Sequence, residues 1–230
     1  VGHNGSMPAL PDPRFDLPGA AWRPLGLDDV AAYVRLQEDA RVADAGTEGT
    51  TEDVARHELA DPNCPIATNT LTLALPDGTL AASIMVNARL NGTESRRVFL
   101  WGATHPEHRG RGMGGDLVAR GVARAEEILA DQPAELLRLV ETVRDVLLAE
   151  AVALHEAAGF RPARWYFDMR RGLREPLPAM PDLAGLRLVP FEASMAQPLL
   201  AIHNEAFLDH WGSEPLTAEI WNHEFVGDPF

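Results

Sequence analysis

Residues 98 to 117 read VFLWGATHPEHRGRGMGGDL, and the succession of textures in this stretch decides the fold. The mostly apolar run Arg97 to Thr104 has the composition of a central strand buried on both faces. A polar turn, His105-Pro106-Glu107-His108, leads into the loop Arg109-Gly110-Arg111-Gly112-Met113-Gly114. A helical pattern follows from Asp116 to Ala130, with Leu117, Val118, Val122, Ala125 and Leu129 inward. Glycine lets a backbone take positive φ and come close to a ligand. The free N–H groups at a helix start favour phosphate. With Arg109 and Arg111 adding positive charge, the loop reads as a pyrophosphate cradle.

Working outward, Trp22 to Leu25 is expected to be a short first strand. Asp28 to Ala43 reads as a helix capped by Asp28 or Asp29, and Thr50 to Leu59 as a second, capped by Thr51. Thr70 to Leu75 and Leu80 to Leu90 form a hairpin about Asp77-Gly78. On the other side of the loop, Glu135 to Val140 reads as a strand. Arg144 to Ala158 reads as a helix stopped by Gly159, and Trp165 to Met169 as a final strand. The first 20 residues read as a loose arm, with residues 1–6 a cloning remnant, and the three prolines of Glu175 to Leu183 mark a linker over 175–184.

Beyond the linker the chain repeats its own beginning. Shifted by 166 residues, Thr51 to Leu59 (TEDVARHEL) meets Thr217 to Phe225 (TAEIWNHEF), Asp28 to Ala43 meets Ser194 to Asp209, and Pro24-Leu25 meets Pro190-Phe191. Residues 185–230 are therefore expected to be an incomplete second copy, a strand plus two helices without a cradle of its own. Such a fragment cannot bury its apolar face alone, so Leu186 to Phe230 is expected to pack on the first unit, to join two chains as a homodimer, or to belong to a longer natural protein.

Composition narrows the function. The net charge is −14, which repels phosphate backbones and argues against nucleic acid as a partner. No apolar run approaches the ~20 residues of a membrane span. Cys64 is the single cysteine, so an intramolecular disulfide and a cysteine-rich zinc site are both excluded. Every basic residue is arginine, which removes lysine nucleophiles, Schiff bases and the lysine of a nucleotide-binding P-loop. Gly110-x-Gly112-x-x-Gly115 matches the dinucleotide fingerprint literally. However, that loop should leave its strand at once near the start of a βαβ unit, and here HPEHR intervenes.

Arg109-x-x-Gly112-x-Gly114 resembles the Arg/Gln-x-x-Gly-x-Gly/Ala signature of the GNAT superfamily of acyl-CoA-dependent N-acyltransferases. Thr104-x-Pro106 before it and Leu117 after it extend the match, and Leu154-His155-Glu156-Ala157-Ala158-Gly159-Phe160 resembles the family's Leu-Tyr-x-x-x-Gly-Phe segment. The repeat and linker further resemble tandem GNAT proteins of high-GC actinobacteria. The resemblance implies an α/β (α+β) domain over 21–174. Its central sheet would be mixed and mostly antiparallel, with a splayed strand pair and helices on both faces. It implies acetyl-CoA as cosubstrate and no metal. Pantetheine would lie on backbone groups near Gly102, Ala103 and Thr104. The pyrophosphate would lie on Arg109, Gly110, Arg111, Gly112, Met113, Gly114 and Gly115. The implied reaction is direct attack of a small-molecule primary amine; the acidic surface suits a cationic amine, and the single cysteine suits a reducing cytoplasm.

Two positions depart from the family pattern. His155 replaces the tyrosine that often serves as general acid, and Leu148 replaces the asparagine seven residues earlier. Histidine titrates near neutrality, so His155 is the candidate acid. Glu141, Asp29 and Glu38 are candidate bases by position alone. These departures leave a second function open, an acetyl-CoA-binding regulatory or interaction module with weak or no turnover.

Overall fold

The computed structural model describes residues 17–172, 174–179 and 184–228. Parts of the expected arm (1–16) and linker (180–183), and the last two residues of the second copy, lie outside the described residues. Five strands form one sheet in chain order: β1 (Ala21–Arg23), β2 (Thr70–Ala74), β3 (Leu80–Arg89), β4 (Ser95–Thr104) and β5 (Leu137–Glu141). The first four pair antiparallel and β5 runs parallel to β4. A parallel return requires a crossover, and Met113–Ala130 supplies it as a helix of 18 residues.

Local chemistry sets the helix boundaries. Ahead of Val30–Ala43 (α1) stands a 3₁₀ turn, Leu27–Asp29, in which the Asp29 carboxylate accepts the Gly26 N–H at 2.8 Å and pairs with Arg23. Glu52–Glu58 (α2) begins where Thr51 Oγ1 accepts the Val54 N–H at 3.3 Å. The short helix Ile66–Asn69 (α3) precedes β2, and the crossover helix is α4. Ala149–Ala157 (α5) closes with Gly159 N–H to Glu156 O and Phe160 N–H to His155 O, the paired bonds of a Schellman end.

The sheet buries a core on each face. On one side Ile84, Val86, Val98 and Leu100 pack against Met113, Leu117, Ala125 and Leu129. On the other, Val30, Tyr33 and Leu36 of α1 and Ala55 of α2 close over Met85 with Leu59 and Cys64. No helix among the described residues is long and apolar enough to cross a membrane.

Several boundaries differ from expectation. The crossover helix starts at Met113, not Asp116, because Gly112 already takes the left-handed cap conformation. Helix α5 starts at Ala149, not Arg144, because Asp145 accepts the Leu147 and Leu148 N–H groups and turns the chain first. The strand expected at Trp165 to Met169 has no ladder partner among the described residues and runs exposed; β5 is the edge of the sheet and pairs only with β4. Beyond the linker, the strand expected near Pro190 is likewise unpaired. Finally, β4 is buried on one face only: Val98 and Leu100 are inside, whereas Trp101 is 46% exposed.

The C-terminal segment carries two short helices. Helix α6 (Ala196–Ala206) is preceded by a 3₁₀ turn, Ala193–Met195, as α1 is by Leu27–Asp29. Helix α7 (Ala218–Trp221) is capped by Thr217, whose Oγ1 accepts the Ile220 N–H at 3.2 Å as Thr51 does for α2; a π-helical turn, Asn222–Val226, continues it. The segment packs on the first unit. Glu224 pairs with Arg89 at 3.3 Å, Glu214 accepts the Asn91 N–H at 2.9 Å, and His57 and His223 stack with ring centroids 3.9 Å apart.

The core makes a testable statement through Cys64. It is fully buried and its thiol is pushed up to about 12, first by burial and then by Asp61. A thiolate-selective reagent should titrate no thiol in the native chain and one after denaturation. A native chain that reacts promptly would show that the layer under α1 and α2 is open.

Candidate functional site

The site is laid out where β4 and β5 part. Their parallel register runs from Ser95–Leu137 to Phe99–Glu141 and stops, while β4 continues to Thr104. Thr142 donates its hydroxyl to Leu100 O at 3.0 Å, the last link across the pair. Beyond it, one edge of β4 faces a gap.

The antiparallel ladder decides which groups face that gap. His105 N–H donates to Ala81 O at 2.9 Å, which makes His105 and Ala81 a hydrogen-bonded pair. Since pairs alternate, Ala103 spends its backbone groups on Ser83, whereas Gly102 and Thr104 turn theirs outward. Of the three positions expected to carry backbone contacts, Gly102 and Thr104 are therefore so oriented and Ala103 is not. Gly102 also serves packing, because a Cβ there would stand 2.9 Å from Ser83 O.

The loop continues from this edge. Gly110 and Gly112 both have positive φ, +72° and +90°, and a Cβ on either would meet nothing within 4 Å. These glycines are required by backbone conformation and border open space. The first backbone bond of the following helix is Asp116 N–H to Gly112 O at 3.1 Å, so the amides of Met113, Gly114 and Gly115 have no intrahelical acceptor. Gly114 has a second duty, since its Cβ would lie 3.0 Å from Leu154 on α5. An 18-residue helix adds its dipole to these amides. Asp116 in the first turn would oppose an anion, but Arg120 pairs with it at 2.9 Å.

The arginines divide the work differently from the expectation. Arg109 grips Asp44, just past α1, through two bonds of 2.6 and 3.0 Å, and donates Nε–H to Thr104 O at 3.1 Å. Its charge is spent on holding the loop to the end of β4. Arg111 is exposed and has no carboxylate partner among the described residues. His105 Nε2 lies 3.2 Å from Asp39 Oδ2, a second tie to α1. Burial lowers the pKa of His108, with His105 and Arg111 adding to the effect.

His155 is buried on α5. Its Nδ1–H donates to Ala151 O at 2.7 Å, and its ring meets Phe160 edge-on at 5.6 Å. Burial, with Arg144 nearby, lowers its pKa and outweighs that bond. The imidazole is therefore neutral at neutral pH, and its buried Nε2, without a partner, carries a lone pair rather than a proton. Such a ring accepts a hydrogen bond; it does not begin as the general acid expected of this position. Glu141 is the last β5 residue in register with β4, at the mouth of the gap. Burial raises its pKa against the opposing effect of Arg97, whose Nη1 is 3.1 Å away. Asp29 is committed to Arg23 and Gly26, and Glu38 to Arg41 and the Thr50 N–H, so neither stands at the gap as a free base.

Sequence reasoning missed Asp44, Asp39 and Thr142, which hold the loop and the strand end. Nothing in their local pattern marks them, because their partners lie 65, 66 and 42 residues away.

No family model matches the sequence, and no curated protein matches it. Solved structures do resemble it. A GCN5-related N-acetyltransferase from Sphaerobacter thermophilus superposes with a TM-score of 0.66 at 24% identity, covering 93% of this chain and 66% of that one. The chain thus spans just under two thirds of that relative's length. A transcriptional regulator from Bacillus halodurans C-125 gives 0.49 at 17% identity, covering 66% of this chain and 99% of that one. A predicted acetyltransferase with acetyl-CoA from Clostridium acetobutylicum gives 0.49 at 15%, covering 66% and 96%. A five-stranded mixed sheet that parts at β4 and β5, with helices on both faces and a glycine loop entering the crossover helix, is the fold of the GCN5-related N-acetyltransferases.

Proposed function

We propose that this chain is an N-acetyltransferase that binds acetyl-CoA in the gap between β4 and β5 and transfers the acetyl group to the primary amine of a small molecule. The observation that carries the reading is the unpaired backbone: among the described residues the amides from Gly110 to Gly115, the outward groups of Gly102 and the Thr104 N–H have no backbone partner, and Gly110 and Gly112 border open space. The residues present fit the cosubstrate. A diphosphate suits amides at a helix start, and an amide-bearing arm suits a free strand edge. Arg111 adds charge, and Arg109 keeps the loop in register with β4.

The thioester supplies an electrophilic carbonyl. A new N–C bond forms as the C–S bond breaks, giving an amide and a free thiol. An ammonium near pKa ~10 must lose a proton before it attacks. Glu141, at the mouth of the gap with its pKa raised by burial, is the carboxylate suited to receive it, and solvent then takes the proton on. The N–H of Gly102 or Thr104 is suited to face developing negative charge on the carbonyl oxygen. His155, with a bare Nε2, orients a donor instead of giving a proton.

That last feature supports a second reading. Without a proton at Nε2, the departing thiolate has no acid in the tyrosine's place, and the chain would bind acetyl-CoA without turning it over. We also read residues 185–230 as the opening of a second unit of the same kind, supported by the matching caps of α2 and α7 and the 3₁₀ turns before α1 and α6.

Calorimetry should register acetyl-CoA binding that weakens as salt rises. Gly110→Val, which puts a β-branched residue at positive φ beside the open space, should weaken it by about tenfold or more without unfolding the chain. Unchanged affinity in that variant would remove the loop from the site. Incubation of the wild-type chain with acetyl-CoA and a panel of amines should release free thiol, with buried Cys64 giving no background. Tight binding with no thiol release across the panel would favour the binding module.

A further inference from the structure

The side chains around the mouth of the gap share one face of the sheet. Phe99 is the register partner of Glu141, and Trp101 that of Met85, whose Sδ lies 3.5 Å from Tyr33 Oη on α1. Arg97, Phe99, Trp101 and Glu141 therefore all point to the side of α1, away from α4. Anything reaching the gap from that side meets them first. Phe99 and Trp101 stack with centroids 6.5 Å apart, and the outer ring is the half-exposed indole of Trp101. Glu141 lies beside them, its side chain 18% exposed.

Glu141 is held in place by a chain of contacts that ends in the C-terminal segment. Its partner Arg97 lies with Cζ 4.5 Å over the ring of Trp211, and Arg164 covers the same ring at 4.6 Å. The next residue, Gly212, has φ +77°, and a Cβ there would fall 2.5 Å from Arg97 Nη1. The positive φ favours glycine there, and any side chain would push against the Arg97 guanidinium. Glu224 on Arg89, Glu214 on Asn91 and the His57–His223 stack anchor the same segment alongside.

We propose that this cluster is the acceptor subsite, that its substrates are arylalkyl monoamines, and that Trp211 completes it from the C-terminal segment. The ammonium meets Glu141 while the aromatic body lies on Trp101. Trp211 is a positioning residue, acting through Arg97. The charges argue for a single ammonium. Glu141 already carries Arg97 at 3.1 Å, and Arg164 lies over the same Trp211 ring as Arg97, so the cluster has room for at most one further cation. A flat apolar body gains from the open indole. This rests on the acetyl-transfer reading, and the experiment separates the two.

Thiol release is measured with phenethylamine, tryptamine and spermidine for the wild-type chain and for Trp211→Ala, Trp211→Phe and Glu141→Gln. Acetyl-CoA affinity is followed by calorimetry in each. We expect both aryl amines to be preferred over spermidine. Trp211→Ala should raise the phenethylamine KM about tenfold, within the range of a partly buried cation–π contact, with a smaller change in kcat. Trp211→Phe should restore most of it, Glu141→Gln should raise KM and lower kcat, and none should alter acetyl-CoA affinity. An unchanged KM in Trp211→Ala and Glu141→Gln, a preference for spermidine, or no turnover of any amine by a chain that binds acetyl-CoA would each overturn the proposal. Failure of the wild-type chain to bind acetyl-CoA at all defeats the underlying reading, and this inference with it.

Discussion

The parting of β4 from β5 is the constraint on which the rest of the molecule depends. Two strands that stay paired satisfy each other's backbone groups and leave nothing for a ligand. Here the pairing ends at Phe99 and Glu141, and β4 runs on for five residues with one edge open. Backbone groups left without partners are costly when buried, so the opening must face either water or something that hydrogen-bonds as a strand would. Thr142 satisfies Leu100 O and Arg109 satisfies Thr104 O, which limits the open edge to Gly102 and the Thr104 N–H. The gap is thus bounded at both ends by side chains that replace the missing strand.

The electrostatics follow from the same economy. A chain with net charge −14 is a poor attractor of anions as a whole. In the proposed function the attraction therefore falls to local geometry, the amides at the head of α4. The cations nearby are mostly committed: Arg109 to Asp44, Arg120 to Asp116 and Arg97 to Glu141. Arg111 alone within the loop keeps its charge for solvent or ligand. Loop conformation, fixed by two glycines at positive φ, therefore matters more to this site than the count of arginines.

Much of this was legible in the sequence because it is local. A strand running into a polar turn, a glycine loop and a helix is contiguous, and Thr51 and Gly159 are caps readable within a few residues. Thr217, like Thr51, is a cap readable within a few residues. Pairing was harder. Trp165 to Met169 has a strand's composition, but composition does not supply a neighbour, and β5 offers none. Direction within the site was also hidden. Whether Ala103 or its neighbours face the gap depends on ladder parity, and whether Arg109 meets a phosphate depends on Asp44, 65 residues away. His155 was legible as a position, but its bond to Ala151 O, which sets the tautomer, needed the helix geometry.

The most direct measurement is a backbone amide NMR titration of the isotope-labelled chain with coenzyme A. The account predicts the largest shifts at Gly110, Arg111, Gly112, Met113, Gly114 and Gly115, with Gly102 and Thr104 moving and Ala103, bonded to Ser83, moving least of the three strand residues. Shifts confined to other surfaces, or loop amides that stay still while coenzyme A binds, would contradict it.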